Sequence, residues 1–320
     1  MEIGIVGTGF MAQTHARAYA AMDVEVVAVA SRGTATSFLE AFGFDAEVYP
    51  DSETLCRSAD IDVLDICTPT HTHLEEVQAA ATAGIDCFLE KPIAPTLQDA
   101  QQITALVESA GIICMVGHVV RFDDGYRKAR HLEIGKPGVA RARRLAPFPD
   151  WGAGEWFADP ERSGGVFVDL AIHDLDYLRW CWGPVERVFA RHHRENHTEH
   201  GFATLRFETG AVGSVEASWA QPESRPFTTT LELAGDAGLV EHTTNDPVGY
   251  RQWTEQDAVT EPALEVTPYR RELEHFVDCV RTGATPAVTP RAATASLRLA
   301  LAARLSAERG EPVTPAEVGT

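Results

Sequence analysis

Apolar residues in the first 120 positions fall into short β-rich runs, each followed by a segment whose apolar positions recur every three to four residues. The runs cover residues 2–6, 24–30, 63–66, 87–89 and 112–116. Such alternation predicts a parallel sheet wrapped by helices. The texture changes between residues 117 and 121. Beyond it the spacing predicts helices over 123–134 and 166–182, then strand-like runs with turns at 209–210 and 235–238 and no helix between them. Strands in that succession predict an open, predominantly antiparallel sheet. Helical patterns over 269–281 and 291–309 close the chain. The expected fold is α/β followed by α+β, divided into a dinucleotide-binding domain over 1–120 and a substrate-binding and oligomerisation domain over 121–320.

Length agrees with that division, because 320 residues exceed the size at which single cores stop growing. The apolar share of 44% suits a globular protein. A net charge of −20 argues against nucleic-acid and anionic-membrane partners. No apolar run is long enough to span a bilayer, and the start MEIGIVGTGF has no basic leader, so a cytoplasmic location is expected. Six scattered cysteines without a C-x-x-C pair read as buried small residues, and no metal site is expected. Of the 27 basic residues only Lys91, Lys128 and Lys136 are lysines. With the acidic excess, that bias points to a salt-adapted protein or to a GC-rich genome.

Four motifs carry chemistry. Directly after the first strand comes G-x-G-x-x-A, in which Gly7 permits a tight turn, Gly9 lets a pyrophosphate reach the backbone, and Ala12 allows close packing. Phe10 and Met11 open the helix whose N-terminus faces that anion. The second strand ends in Ser31-Arg32 with no carboxylate, so a 2′-phosphate would meet a hydroxyl and a guanidinium. NADP is therefore favoured, with NAD possible. The third strand of the alternating series leads into Thr68-Pro69 and His71-x-His73 on the ligand side of the sheet. The fourth motif, Glu90-Lys91-Pro92, sets the sole lysine of the first 120 residues at a strand end, where a compact ammonium offers what arginine cannot.

In the second domain, Asp169, His173 and Asp176 would lie within about 60° of one another on one helix. That face is either a solvated surface or a site. The run 191–200 holds four histidines, which could bind a metal, and as the join between two strand-like runs it reads as a polar loop. Arg121, Phe122 and Trp151 are further candidates for substrate contact.

The series G-x-G-x-x-A, T-P-x-x-x-H, E-K-P and W-F-x-D-P-x-x-S-G-G-x-x-x-D-x-x-x-H-D-x-D resembles the glucose–fructose oxidoreductase, inositol dehydrogenase and rhizopine-catabolism (Gfo/Idh/MocA) family over residues 1–312. The resemblance implies a Rossmann domain joined to an antiparallel-sheet domain, a homodimer or homotetramer, and hydride transfer between NAD(P) and a sugar, sugar derivative or inositol-like cyclic polyol. It implies that Lys91 is the catalytic lysine, His173 the acid/base and Asp169 its paired carboxylate, with cofactor contacts extending to Thr68, Pro69, His73 and Glu90. Asp176 would bind a second substrate hydroxyl or serve in helix solvation or capping, and His200, in the loop that borders the substrate sheet in related proteins, would touch substrate. The chain departs from the family pattern at Ala171, often glycine, and at Asp123-Asp124, often Asn-Pro. Two other readings use the same fold: reduction of a non-sugar carbonyl or unsaturated compound, as in dihydrodiol dehydrogenases, and a non-catalytic dinucleotide sensor.

Overall fold

The computed structural model describes residues 1–33, 35–149, 153–244, 250–254, 258–261 and 267–319. The chain forms two compact units, Met1–His118 with Thr267–Thr294, and Val119–Val266 with Ala295–Thr320.

The first unit runs β1 (Glu2–Val6), α1 (Phe10–Tyr19), β2 (Glu25–Ala30), α2 (Ala35–Phe42), β3 (Glu47–Tyr49), α3 (Ser52–Ser58), β4 (Val63–Ile66), α4 (His73–Ala83), β5 (Asp86–Glu90), α5 (Leu97–Ala110) and β6 (Cys114–Gly117). Among the described residues its sheet has the order β3-β2-β1-β4-β5-β6. Every pairing in it is parallel. The order reverses at β1/β4, and in such sheets ligands bind beyond the carboxyl ends of the strands at that point. Strands covered on both faces should be apolar throughout, as β1 and β4 largely are. Asp65 is the exception, a fully buried carboxylate within β4.

The second unit continues α6 (Asp124–His131), β7 (Pro137–Leu145), α7 (Pro160–Ser163), α8 (Gly165–Asp169), α9 (Ile172–Trp182), β8 (Val185–Glu195), β9 (Thr198–Phe207), β10 (Val212–Ser218), β11 (Thr228–Gly235), β12 (Gly238–Thr243), β13 (Tyr250–Thr254) and β14 (Ala258–Glu261). Its sheet has the order β14-β13-β12-β11-β7-β10-β9-β8. Of the pairings, β7 with β10 is parallel and the others are antiparallel. Two helices follow, α10 (Pro268–Thr282) and α11 (Pro290–Arg309). No helix among the described residues is long and apolar enough to cross a membrane.

Three expectations are corrected. The first concerns the assignment of all of 121–320 to one domain, because Thr267–Thr294 belongs with the first unit. Its α10 buries Leu273, Phe276 and Val277 there, with Phe276 edge-on to Phe88 at 5.5 Å. Val116 N–H also donates to the Val288 carbonyl at 3.0 Å, which satisfies a donor of the last strand. The second concerns the helix over 166–182, which is two helices. Ala171 N–H bonds the Val166 carbonyl at 2.8 Å, five residues back, and this wide turn ends α8 before α9 starts. The third concerns the His-rich run. It is a hairpin and not a loop, with Glu195 opposite Thr198 across a two-residue turn in which Asn196 takes φ 50°.

Candidate active site

At the end of β1, Gly7 takes φ +94°, and a Cβ there would sit 2.7 Å from the Cys67 carbonyl. Both the backbone conformation and the approach of the β4 turn demand glycine. Gly9 caps α1 without a side-chain hydrogen bond, and a Cβ added to it would meet nothing within 4 Å. Ala12 and Ala16 are fully buried against the sheet, whereas Phe10 is 53% exposed and Met11 half-buried. The first amides of α1 thus face an open approach with the helix dipole behind them, an arrangement that fits a dinucleotide pyrophosphate. At the tip of β2 the Ser31 hydroxyl lies 3.0 Å from that of Thr8, and Arg32 is exposed.

The turns after β4 and β5 are tied together by His73. Its ring is buried, with Nε2 3.1 Å from the Thr68 carbonyl and Nδ1 3.0 Å from that of Pro92. Burial holds this imidazole below its usual pKa, while the carbonyls at Thr68 and Ile93 favour the charged ring. His73 therefore positions Thr68-Pro69 and Glu90-Lys91-Pro92 relative to each other. The Lys91–Pro92 peptide is cis. Glu90 is buried, Lys91 half-buried, and the Lys91 N–H donates to Glu90 Oε2 at 3.0 Å.

Sequence reasoning passed over what lies on the other side of Glu90. His15 of α1 is 1% exposed, with Nδ1 2.9 Å from Asp65 Oδ2 and Nε2 3.1 Å from Glu90 Oε1. Cys67 Sγ lies 3.3 Å from the same Nδ1. The signal was Asp65, a lone charge within the apolar strand VLDI.

In the second unit, Asp169 is the last residue of α8 and is buried; His173 is the second of α9 and half-buried. The wide turn at Leu170–Ala171 separates them, so they do not share the face of one continuous helix. Asp176 and Arg121, expected at substrate, form a buried fork: Arg121 Nε and Nη2 donate to the two Asp176 oxygens at 2.7 and 2.6 Å. Ser296 Oγ donates to Asp176 Oδ1 at 2.5 Å. The neighbouring Asp174 accepts a second fork from Arg144 of β7, at 2.9 and 3.0 Å. Sequence reasoning missed this pair. Phe122 is buried in the 3-10 turn Val119–Phe122. Trp151 lies outside the described residues. Arg121 and Asp176 thereby anchor α9 internally, because each uses its planar group on the other.

The family model described as an oxidoreductase family with an NAD-binding Rossmann fold, GFO/IDH/MocA, matches residues 1–118. The model of the GFO/IDH/MocA C-terminal domain matches residues 127–241. The scyllo-inositol 2-dehydrogenase (NAD(+)) of Bacillus subtilis is 31% identical over 278 residues, covering 79% of this chain and 77% of that protein. The chain belongs to the GFO/IDH/MocA family. It is accordingly an NAD(P)-dependent oxidoreductase. Another member, the D-xylose 1-dehydrogenase (NADP(+)) 2 of Haloferax volcanii, is 29% identical over 328 residues, 98% of this chain and 99% of its own. The names of these two GFO/IDH/MocA relatives specify different dinucleotides. An oxidoreductase from Agrobacterium radiobacter, solved with NAD+, L-tartaric acid and magnesium, superposes with a TM-score of 0.89 over 99% of this chain and 98% of that one. Its sequence identity is 22%, and the likeness is one of fold.

Proposed function

We propose that the chain is an NADP-preferring dehydrogenase of a sugar, sugar derivative or cyclic polyol, with Lys91, Asp169 and His173 as its catalytic groups. The observation that carries this reading is that the chain keeps all three at the family's motif positions. A sensor that had given up turnover would have no need of them. The sugar and polyol dehydrogenases among its relatives support the substrate class.

The first unit would hold the dinucleotide. Its pyrophosphate suits the amides of Gly9, Phe10 and Met11, and Ser31 with Arg32 suits a 2′-phosphate. Thr68, Pro69, Glu90 and Lys91 would border the nicotinamide half, with His73 fixing the turns that carry them. A bound nicotinamide would supply the hydride acceptor. His173 takes the substrate hydroxyl proton as the carbonyl forms, the imidazole being the side chain suited to exchange a proton near neutral pH. Asp169 orients that ring and stabilises the imidazolium. The Lys91 ammonium stabilises negative charge developing on the reacting oxygen. The chain acts as a homodimer or homotetramer. Phe202 and Val212, 44% and 49% exposed on the outer face of the second sheet, suit contact with another copy.

The test is formation of reduced nicotinamide from NADP+ and from NAD+ with a panel of inositols and aldoses. His173→Ala and Lys91→Met should each lower kcat by about 10²–10⁴-fold while leaving dinucleotide affinity within about tenfold. Full turnover by either variant would refute the role of the residue it replaces. Binding of dinucleotide with no turnover on the panel would favour the sensor.

A further inference from the structure

His15 stands between two carboxylates in the interior of the first unit. Asp65 is fully buried and Glu90 is 5% exposed. A neutral imidazole carries one N–H, so with a carboxylate at each nitrogen one lone pair would face an anion. The doubly protonated ring donates to Asp65 and keeps a positive charge beside Glu90, whose Oε1 lies 3.1 Å from Nε2 as an ion pair without hydrogen-bond alignment. Burial, the largest single influence, opposes the charged ring, yet the Asp65 carboxylate and the Cys67 group hold its pKa well above the ordinary imidazole range. The ring is wedged edge-on against Phe88 at 5.3 Å and Tyr19 at 6.5 Å, which fixes its plane. Besides these, Cys67 of the β4 turn and Tyr19 of α1 face the cluster, and Glu272 of α10 acts on Tyr19.

Glu90 transmits that geometry. Oε1 meets His15, and Oε2 accepts the Lys91 N–H. A Cβ at Gly117 would come within 3.1 Å of Oε1, so glycine leaves the carboxylate its place. An apolar trio would cost less to bury than two carboxylates and a cation. The polar arrangement is explained if it sets the direction of the turn.

We propose that His15 is a positioning residue for Lys91: hydrogen-bonded to Asp65 through Nδ1 and ion-paired with Glu90 through Nε2, it fixes the Glu90 carboxylate, and through it the backbone from which Lys91 reaches its working place. This inference rests on the catalytic role proposed for Lys91. The test combines amide exchange with a mutant cycle on the full chain. In His15→Gln, exchange at the Lys91 amide should quicken by at least about tenfold, with the β1 and β4 amides unchanged. Turnover should fall about 10²-fold, mostly in kcat, yet the same substitution should cost little in a Lys91→Met background. Unchanged protection at Lys91, or an equal loss in both backgrounds, overturns the proposal. Should His15→Gln not fold, Glu90→Gln takes its place, since it keeps an acceptor for Lys91 but removes the charge that holds the ring. The same two results decide. Stoichiometric zinc in the purified chain, lost with Cys67→Ser, would also overturn it, because His15 would then be a metal ligand with Asp65 and Cys67. Full turnover by Lys91→Met would instead refute the catalytic reading, while the exchange result still judges the tie.

Discussion

Each unit buries a cluster of charges, and the two clusters use different cations. In the second unit, Arg121 and Arg144 fork onto Asp176 and Asp174, fixing the helix that carries His173. In the first, His15 stands between Asp65 and Glu90 at the strand end that carries Lys91. A guanidinium keeps its proton at every accessible pH, and its planar fork admits one geometry. An imidazole keeps its second proton only while its carboxylates hold it. The helix that carries His173 is thus clamped alike at neutral and alkaline pH, and the turn that carries Lys91 is held by a tie that alkali would release.

Breaking the second-unit clamp gives the largest expected effect. Arg144 and Asp174 are 5% and 0% exposed, so Asp174→Ala takes from a buried guanidinium the carboxylate to which two of its nitrogens donate. The expected cost is about 3–5 kcal/mol, a fall in Tm of about 6–20 °C. Replacing both partners, Arg144→Met with Asp174→Leu, should recover most of that loss, because the desolvation penalty goes with the charges. Thermal unfolding of the single and double variants checks this. A single-variant loss under about 1 kcal/mol would mean that water reaches the pair.

The same contrast marks what is legible in the sequence. The parallel sheet can be read from apolar runs because strands covered on both faces leave that trace. The glycine turn and Glu90-Lys91-Pro92 are readable because their geometry demands particular residue types. β7 escapes notice: its covered face is built from Ala140, Ala142 and Arg144, which have no β-branched or aromatic signature. The break between α8 and α9 leaves no proline or glycine at the bend, and helical periodicity runs through it. Pairing across long separations, as between Arg121 and Asp176, is invisible to local pattern. A carboxylate three residues past a histidine reads as substrate-facing until its partner is seen. His15 is hidden in an otherwise ordinary amphipathic helix.

A smaller effect, and one with a sign in pH, is expected at the first cluster. The folded pKa of His15 is raised, so its stabilising contribution is complete below the unfolded value of about 6.5 and is lost as pH rises through the folded value. The stability gap between the unaltered chain and His15→Gln should therefore narrow from about pH 6 to about pH 9 in urea unfolding. A gap independent of pH over that range would show a neutral ring in the fold. The Arg144–Asp174 gap, measured in the same way, should stay flat.

The smallest effect concerns a neutral group beside a charge already balanced. Ser296 Oγ donates to Asp176 Oδ1 at 2.5 Å and accepts from Arg179 Nε at 3.2 Å. Asp176 keeps both donors of Arg121 when that hydroxyl is removed, and the second guanidinium, that of Arg179, remains 3.9 Å away. No unpaired charge is created, so Ser296→Ala should cost about 1.5–3 kcal/mol, the range for one hydrogen bond to an ion, and should leave kcat within about threefold. A loss as large as that of Asp174→Ala would mean that the hydroxyl, and not the arginine fork, fixes the Asp176 carboxylate. Denaturant midpoints with unchanged slopes separate these outcomes, because an altered slope would report a change in the unfolded state or the cooperativity of unfolding.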